Sequence, residues 1–420
     1  MKKVERKYYL DSVVESMGNS MIKVITGIRR CGKSYLLNTL FYDYLLDNGV
    51  EKNQIIKVNL EEEQFQELLK PGALSGYVRE RLKSDKLNYV FIDEVQKAPD
   101  FEAVLSGLNN LPNVDVYVTG SNSKFLSSDI ITEFRGRGDE IRVHPFCFRE
   151  FCQAKRDGGE TDTAKMWREY MNFGGMPLCL SFTTEEKKAA YLKGLFDEVY
   201  FVDIKERYGI ENDTELGDVV NALASSVGSL TNPHRLAQYF VGAGVKNITE
   251  AEIKKYIDCL MDAFLIQKAE RYDIRGKKYL STPSKYYYAD VGLRNVRLNF
   301  RQQEVGHLME NIIYNELIMR GYNVDVGVVE ANIVEDGRNL RRQYEIDFVC
   351  NQIDKRYYIQ SAFALADEAK VTQETQSLSR VADAFQKIVV VRDDIRPYRD
   401  ERGIMFVGLI DFLLKPEIMG

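Results

Sequence analysis

Four short apolar runs mark the first third of the chain, and longer segments with helical spacing separate them. The runs are Met21–Thr26, Gln54–Leu60, Asn88–Ile92 and Val114–Thr119. Each is nearly continuous in apolar character, which is typical of strands covered on both faces, and the segments between them are long enough for crossover helices. This pattern predicts an α/β fold with a parallel sheet in the first third.

The pattern then becomes mainly helical. Apolar positions recur at spacings of three and four in WREYMNF and YLKGLFDEVYFVDI, which predicts a helical lid or connector over 151–214. Helix-start signals at Asn232-Pro233 and at Thr249 with Glu252 precede two β-rich stretches around a basic RGKK turn. Helices followed by a hairpin predict a winged helix-turn-helix over 215–295. A long helix, HLMENIIYNELIMRG, then opens the last region, 296–420, and strand-like runs follow it.

Composition narrows the class of protein without identifying it. The chain has 420 residues, which is enough for two or three domains, and its apolar content of 45% is that of a globular protein. A formal net charge of -6 restricts any contact with nucleic acid to a local region. The six cysteines form no CxxC pair, which disfavours a zinc site and a disulfide framework. With no apolar leader or spanning segment in sight, we expect a cytoplasmic protein that makes no membrane contact.

One stretch fits a phosphate-binding loop, or P-loop. Residues 27–34, GIRRCGKS, match GxxxxGK[ST] between an apolar strand and a helical run, which is the context that this motif requires. Lys33 would bridge the β- and γ-phosphates, and Ser34 would hold Mg²⁺. The alternative is an ordinary glycine turn before a helix. The predicted nucleotide-binding residues are Gly27, Ile28, Arg29, Arg30, Cys31, Gly32, Lys33, Ser34 and Tyr35.

A second strand end carries two acidic residues. NYVFIDEVQ ends its apolar run in Asp93-Glu94, which is the form of a Walker B segment. Asp93 would hold Mg²⁺ through a water and Glu94 would polarise the attacking water, so the pair predicts hydrolysis rather than binding alone. The alternative is a solvated acidic strand end. Asn59, at the end of the second predicted strand, could restrain Glu94.

Two further groups would complete a hydrolytic site. Ser121 or Asn122, after the strand VDVYVT, fits a sensor that hydrogen-bonds the attacking water or the γ-phosphate, although a serine loop cap is the alternative. Arg135 and Arg137 follow in FRGRGDEI. Arg137 is the candidate for an arginine that stabilises transition-state charge from the same or a neighbouring subunit, and a structural salt bridge is its alternative.

Taken together, the motifs resemble those of one family. GIRRCGKS, VFIDEVQ, TGSNS, the GR before HPFCFREF, GGMP, KYYYADVGLRN, MENIIYNEL and EIDFV resemble a group of prokaryotic single-chain AAA-family ATPases over essentially the whole chain. The resemblance implies an AAA-type P-loop core at 1–150, followed by the lid, the winged helix and a restriction-endonuclease-like domain at 296–420. It also implies that ATP and Mg²⁺ bind at residues 27–34 and Asp93, with hydrolysis assisted by Glu94.

The restriction-endonuclease-like domain that the resemblance implies is related to the PD-(D/E)xK nucleases. This chain has only some of the residues that those nucleases need. Glu310 could be the helix acid and Asp347 the strand acid of such a site. However, Gln360 stands where the next acid belongs and Ala362 stands where the lysine belongs, and Glu316 as an alternative acid does not supply a lysine. Without the lysine that orients the attacking water, we expect this domain to be inactive as a nuclease.

The predicted winged-helix segment holds much of the basic charge. Its basic residues, with those that follow directly, are Lys268, Arg271, Arg275, Lys277, Lys278, Lys285, Arg294, Arg297 and Arg301. Interleaved Tyr279, Tyr286, Tyr287 and Tyr288 could stack on bases or pack the wing. One interpretation is contact with the DNA backbone, and the other is coupling within the molecule.

Three functions follow from these patterns. The first is an ATP hydrolase that works as a nucleotide-driven switch and engages DNA, a protein partner or a second copy of itself. The second is an ATP-regulated DNA nuclease, and the third is a nucleotide-binding module that does not hydrolyse. Glu94 favours hydrolysis and Ala362 disfavours cutting, so the first function is the prediction.

Overall fold

Two compact units make up the chain. The computed structural model describes residues 3–120, 136–242, 248–301, 304–335, 338–365 and 367–420. The first unit comprises residues 1–145 with 176–181 and 262–264, and the second comprises 146–175, 182–261 and 265–420. The continuous part of the first unit therefore ends at Pro145, close to the division predicted after residue 150.

The first unit is built on a parallel five-stranded sheet. Its strands are β1 Ile22–Thr26, β2 Ile55–Asn59, β3 Asn88–Asp93, β4 Val114–Thr119 and β5 Gly138–Arg142. They lie in the order β2-β3-β4-β1-β5, and all neighbours run parallel. The α/β class and the parallel sheet are confirmed. The edge strand β5 was not predicted, because GDEIR contains a single apolar side chain.

Helical segments lie before, between and after these strands in the chain. They are Lys7–Glu15, Lys33–Tyr35, the π-helical Leu36–Phe41, Tyr42–Asp47, Ala73–Arg79 and Phe101–Asn109, with 3₁₀ turns at Lys52–Gln54, Glu63–Leu69, Val95–Lys97 and Pro177–Ser181. Every residue of β1, β3 and β4 is buried, which accounts for their continuous apolar runs. The polar exceptions compensate one another, since Lys23 of β1 pairs with Asp115 of β4 and Tyr117 donates a hydrogen bond to Asp115 at 2.7 Å.

The second unit combines helices with a mixed eight-stranded sheet. Its helices are Phe148–Asp157, Thr163–Phe173, Glu185–Gly194, the π-helical Leu195–Phe201, Val202–Tyr208, Asp213–Ser225, Pro233–Gly242, Glu250–Asp262, Val291–Arg297, Val305–Met319, Glu368–Ser379, Leu409–Leu414 and the 3₁₀ turn Pro416–Met419. Its strands are β6 Ile266–Asp273, β7 Lys278–Tyr288, β8 Asn323–Glu335, β9 Arg338–Gln352, β10 Lys355–Ala362, β11 Gln386–Val391, β12 Tyr398–Arg399 and β13 Met405–Gly408. The strand order is β12-β13-β11-β10-β9-β8-β6-β7.

This sheet crosses the predicted boundary between residues 295 and 296. The antiparallel hairpin β6–β7 was assigned to a separate winged-helix domain, yet β6 pairs in parallel with β8. The pairing aligns Arg271 with Val326 and Asp273 with Val328. The hairpin and the C-terminal strands therefore share one sheet, and the boundary at 295 does not separate two sheets.

Asp290 holds a glycine turn within the second unit. Gly174, with φ of 67°, ends the helix Thr163–Phe173, and the N–H of Gly175 donates to Oδ2 of Asp290 at 2.6 Å. Oδ1 of Asp290 accepts from the N–H of Leu293 at 3.1 Å and caps the helix Val291–Arg297. Burial raises the pKa of Asp290 to about 6, although the backbone N–H of Gly175 opposes this. The GG of GGMP and the AD of YADVG are thus parts of one contact.

The cysteine thiols carry little further chemistry. All six cysteines are buried and none forms a disulfide bond. Burial raises the pKa of Cys152 to about 11, which makes its reactive thiolate form rare. Over the part of the chain that the structure describes, no helix is both long and apolar enough to cross a bilayer.

Candidate functional site

The predicted P-loop lies directly after β1 and leads into helical residues 33–47. Gly27 has φ of 136° and Gly32 has φ of 105°, a backbone region that side chains disfavour. A Cβ at Gly27 would lie 2.1 Å from the carbonyl oxygen of Val143, so the loop needs glycine there. Arg30 also has positive φ, at 64°. The loop therefore has the tight backbone that a phosphate cradle requires.

Lys33 folds back over this loop. Its side chain is buried, and Nζ donates to the carbonyl oxygens of Gly27 at 3.0 Å and Ile28 at 3.2 Å. Ser34, the next residue, is exposed. A charge-assisted hydrogen bond to phosphate is stronger than one to a neutral carbonyl, so a bound phosphate could draw the ammonium away from the loop.

Asp93 ends β3, and β4 separates that strand from β1. Thr119, the last residue of β4, donates its hydroxyl hydrogen to Oδ1 of Asp93 and accepts from the N–H of Glu94 at 3.2 Å. Asp93 is buried and Thr119 is fully buried. A single hydroxyl thus ties the middle strand to both predicted acidic residues.

Sequence reasoning missed Thr119. It selected Ser121 and Asn122 from the same TGSNS stretch, and both lie outside the described residues. The available signal was position, because Thr119 is the last residue of an apolar strand, and that strand lies beside the acidic one.

Glu94 has a local amide partner that differs from the predicted one. Nε2 of Gln96 donates to Oε2 of Glu94. The predicted restraint, Asn59, instead donates its amide to Glu62 at 3.2 Å and accepts from the N–H of Glu61 at 3.0 Å. The side chain of Asn59 is thus engaged by its own loop, and the amide that contacts Glu94 is that of Gln96.

Arg137 lies at the wrong edge of the sheet to act on the P-loop of its own chain. β5 runs parallel to β1 with Gly138 opposite Ile22 and Arg142 opposite Thr26, so Arg137 precedes the amino end of β5. The P-loop follows the carboxyl end of β1, about 17 Å away along five residues of strand. The exposed guanidinium of Arg137 donates to Oδ1 of Asn110 at 3.1 Å. This placement disfavours the same-subunit role, and a role toward a neighbouring copy stays a hypothesis.

A second group of charged residues lies in the second unit. The structure brings the predicted nuclease-like residues Glu310, Asp347 and Gln360 into one group. Nε2 of Gln360 donates to Oδ2 of Asp347 at 2.8 Å, and the N–H of Ser361 donates to the same oxygen at 2.9 Å. The alternative acid, Glu316, pairs instead with Arg320 at 2.8 Å.

Lys285 of β7 occupies the centre of this group. Its Nζ lies 2.8 Å from Oε1 of Glu310, 2.7 Å from Oε1 of Glu345 and 3.5 Å from Oδ1 of Asp347. Tyr287 also donates to Oε1 of Glu310, at 2.6 Å. These residues form what we call the Lys285 cluster: Lys285, Tyr287, Glu310, Glu345, Asp347 and Gln360.

The position of Lys285 corrects part of the predicted basic surface. Lys285 is 3% exposed, and Arg294, at 2% exposure, donates to the carbonyl oxygen of Ala224 at 2.8 Å. Tyr286, Tyr287 and Tyr288 are buried as well, so they pack the unit and do not stack on bases. The exposed basic side chains of the hairpin lie at its tip instead, and they are Arg275, Lys277 and Lys278.

The charges in the Lys285 cluster leave its lysine protonated. Burial, together with the charge of Glu310, raises the pKa of Asp347 to about 7. Burial acts to lower the pKa of Lys285, but Asp347, Glu310 and Glu345 outweigh it and raise that pKa above its ordinary value. No group of three or more His, Cys, Asp or Glu in the described ranges is arranged to hold a metal ion. The ammonium takes the place among the carboxylates that a cation would need.

Solved structures with partial likeness include two archaeal proteins. A Walker-type ATPase of Pyrococcus abyssi aligns with a TM-score of 0.48 and 15% identity, over 70% of this chain and 96% of that one. The Orc1 protein of Aeropyrum pernix, solved in complex with DNA, aligns with a TM-score of 0.30 and 13% identity, over 70% of this chain and 92% of that one.

Sequence comparison adds family matches and full-length relatives. Residues 19–152 match a family described as an AAA domain, and residues 164–304 match a domain of unknown function, DUF8612. Protein MJ1544 of Methanocaldococcus jannaschii, described as uncharacterized, is 29% identical over 78% of this chain and 71% of its own length. An uncharacterized protein of Haemophilus influenzae is 33% identical over 98% of this chain and 99% of its own length. The chain belongs to the same family as this Haemophilus protein, and it contains an AAA domain at residues 19–152.

Proposed function

We propose that this chain hydrolyses ATP with Mg²⁺ and works as a nucleotide-driven switch. One observation carries the proposal: the P-loop follows β1 and Asp93-Glu94 lies at the carboxyl end of β3 in one parallel sheet, with β4 between the two strands. The carboxyl ends of parallel strands meet at one edge, which is where such sheets bind ligands. The Thr119–Asp93 hydrogen bond supports a site assembled at that edge.

Each residue then has a defined task. Backbone N–H groups of the P-loop and the ammonium of Lys33 would hold the phosphates, and Glu94 would orient the attacking water. The exposed Ser34 hydroxyl and the Asp93 carboxylate are oxygen donors of the kind that Mg²⁺ prefers, so the residues present fit this ion. Bound Mg²⁺ would neutralise charge that develops on the β- and γ-phosphates. Thr119 keeps the Asp93 carboxylate oriented.

The position of Lys33 supports a change of state on binding. Its ammonium donates to the carbonyl oxygens of Gly27 and Ile28. Transfer of that ammonium to phosphate would release both carbonyls and allow the loop to reshape. A ligand that prefers one loop shape shifts the population toward it, which is the physical basis of a switch.

The second unit supports an engagement role. Three helices, Asp213–Ser225, Pro233–Gly242 and Glu250–Asp262, precede the β6–β7 hairpin, and Thr231 between the first two helices bridges to Ser284 of β7. This order is that of a winged helix. Arg275, Lys277 and Lys278 are exposed at the hairpin tip beside Tyr279, which is 59% exposed, and this favours contact with a nucleic-acid backbone over other partners.

The test is a phosphate-release assay with and without single-stranded and double-stranded DNA, alongside mass measurement with and without ATP. Lys33→Ala should abolish ATP binding or turnover, and Glu94→Gln should retain binding but stop turnover. Lys52→Ala, at an exposed lysine of the same unit, is the matched control and should behave as wild type. Unchanged activity in both site variants would overturn the proposal.

DNA stimulation is tested separately with a triple variant at the hairpin tip. Replacement of Arg275, Lys277 and Lys278 by glutamate should weaken DNA binding and reduce its salt dependence, because fewer phosphate contacts release fewer counterions. Basal ATP turnover should not change. Stimulation that survives the triple variant would favour a protein partner or self-association over DNA at this hairpin.

A further inference from the structure

We propose that Arg6 is a positioning residue of the nucleotide site, and that its guanidinium fixes the P-loop in the orientation that phosphate requires. The proposal rests on the proposed ATPase function and concerns a residue that lies outside the loop motif itself. Arg6 precedes the helix Lys7–Glu15 at the start of the first unit.

Arg6 is buried against two backbone segments. Arg6 is 1% exposed. Its Nη1 donates to the carbonyl oxygen of Cys31 at 2.8 Å, and its Nη2 donates to the carbonyl oxygen of His144 at 2.6 Å. The guanidinium also lies 4.5 Å from the ring centroid of Tyr9. A single planar group therefore bridges the P-loop and the segment that follows β5, using the fork geometry that distinguishes arginine from lysine.

The peptide plane links this contact to phosphate. In a trans peptide the carbonyl oxygen and the following N–H point in opposite directions. Because Arg6 holds the carbonyl oxygen of Cys31, the N–H of Gly32 in the same peptide points away from Arg6. Gly32 is the glycine before Lys33, and its N–H is one of those that a phosphate in this loop would accept from.

Other contacts join the same two segments. The thiol of Cys31 contacts the carbonyl oxygen of Val143 at 3.3 Å, and Gly27 approaches that carbonyl closely enough to exclude a Cβ. The N–H of His144 donates to the hydroxyl of Tyr9 at 3.2 Å. The outer face of the P-loop is thus attached to the chain after β5, and Arg6 is attached to both.

The positive charge of Arg6 also favours phosphate binding at the loop. Burial, with the charges of Arg142 and Arg6, lowers the pKa of His144 well below its ordinary value, so His144 is neutral near pH 7. Guanidinium groups stay protonated at that pH. The positive charge beside the loop therefore comes from arginine, and it favours the entry of an anionic ligand.

The backbone conformation of Arg6 is strained, and the hydrogen bonds of its guanidinium compensate for that strain. Its φ of 45° lies in the left-handed region, which disfavours residues other than glycine. Such a conformation persists when surrounding contacts hold it, and here the two hydrogen bonds of the guanidinium do so.

The experiment measures the dissociation constant of a fluorescent ATP analogue, the rate of phosphate release and the thermal midpoint for the full chain. Arg6→Ala should weaken binding about tenfold, the loss expected for one charge-assisted hydrogen bond, and Arg6→Lys should recover part of it. Val13→Ala removes a buried side chain from the same helix without touching the loop, and Lys7→Ala removes an exposed neighbouring charge. Both should leave the dissociation constant unchanged, although Val13→Ala lowers the thermal midpoint.

The outcomes separate this inference from the proposed function. Wild-type affinity in Arg6→Ala would overturn the positioning role while leaving the ATPase intact. An equal loss of affinity in Val13→Ala would mean that Arg6 acts only through stability, and it would overturn the role as well. If the wild type bound no ATP analogue and released no phosphate, both proposals would fail.

Discussion

The ammonium of Lys285 and the carboxylate of Glu310 lie 2.8 Å apart inside the second unit, with both residues almost fully buried. Glu345 and Asp347 approach the same ammonium from β9. The pair joins the hairpin strand β7 to the helix Val305–Met319, so it connects elements on both sides of the predicted boundary at residue 295.

Removal of this lysine should destabilise the second unit strongly. Lys285→Ala leaves the buried carboxylates of Glu310 and Asp347, and the partly exposed one of Glu345, without their cation. Breaking a buried pair in this way costs about 3–5 kcal/mol. Thermal or urea unfolding of the full chain measures the loss. Lys268→Ala is the matched control, since Lys268 pairs with Glu270 in a more exposed place, and its loss should stay within about 1 kcal/mol. Equal stability of the two variants would contradict the structural role of Lys285.

The Lys285 cluster should not cut DNA. Its protonated lysine cannot act as a base, and Asp347 already accepts hydrogen bonds from Gln360 and Ser361 on one oxygen. We expect no cleavage of plasmid or single-stranded DNA with Mg²⁺ or Mn²⁺, with or without ATP. Cleavage that disappears in Asp347→Ala would show the opposite, and cleavage that persists in that variant would identify a contaminating nuclease.

Thr119 should matter for turnover more than for binding. Thr119→Val keeps the shape of the side chain but removes the hydrogen bonds to Asp93 and from the N–H of Glu94. We expect phosphate release to fall about tenfold or more while the affinity for ATP stays within about threefold, because misoriented catalytic groups raise the barrier without changing ground-state binding. Thr119→Ser restores the hydroxyl and should restore most of the rate. A proportional loss of affinity in Thr119→Val would assign Thr119 to binding instead.

Asp290 should make stability depend on pH. Burial raises its folded pKa to about 6, above the ordinary value of 3.8, so the folded state holds the proton more tightly than the unfolded state does. The contribution of Asp290 to the free energy of unfolding therefore falls as pH rises from roughly 4 to 6, by about 3 kcal/mol in total.

Urea unfolding across that pH range checks this expectation. Asp290→Asn should flatten the dependence, and it should lower stability at its low-pH end because an amide NH₂ replaces one of the two oxygens that accept from Gly175 and Leu293. Asp354→Asn, at an exposed turn residue, should leave the wild-type profile unchanged. A wild-type profile retained in Asp290→Asn would assign the titration to another group.

Arg137 should have no effect on isolated chains. It lies at the amino edge of the sheet and bonds Asn110, so Arg137→Ala should leave turnover unchanged at concentrations where the protein is monomeric. If turnover per chain rises with protein concentration, the same substitution should abolish that rise, which would reveal a finger supplied to a neighbouring copy. A loss of turnover in the monomer would contradict the placement of Arg137.

The sheet of the first unit could be predicted because its inner strands are buried on both faces, and such strands appear in sequence as continuous apolar runs. The strand β5 was not predicted, because an edge strand needs fewer apolar residues. Thr119 was not predicted for another reason. The polar residue that faces the neighbouring strand depends on where the strand ends, and sequence patterns place that end only to within a few residues.

Lys285 could not be recognised as a buried residue from local sequence. Its carboxylate partners Glu310 and Asp347 lie 25 and 62 residues away, and a charge count along the chain treats every lysine alike. The pairing of β6 with β8 was hidden in a similar way, because backbone hydrogen bonds between strands leave no direct mark on side-chain patterns.

The sheet shared by the β6–β7 hairpin and the C-terminal strands limits where the gene can recombine without damage to the fold. A recombination break between residues 288 and 323 would part Lys285 from Glu345 and Asp347 and deprive β8 of its neighbour β6. The bare edge of β8 would then be open to strands of other molecules and would promote aggregation. We therefore expect the hairpin and the C-terminal strands to be inherited together, with exchange between relatives confined to points outside this interval.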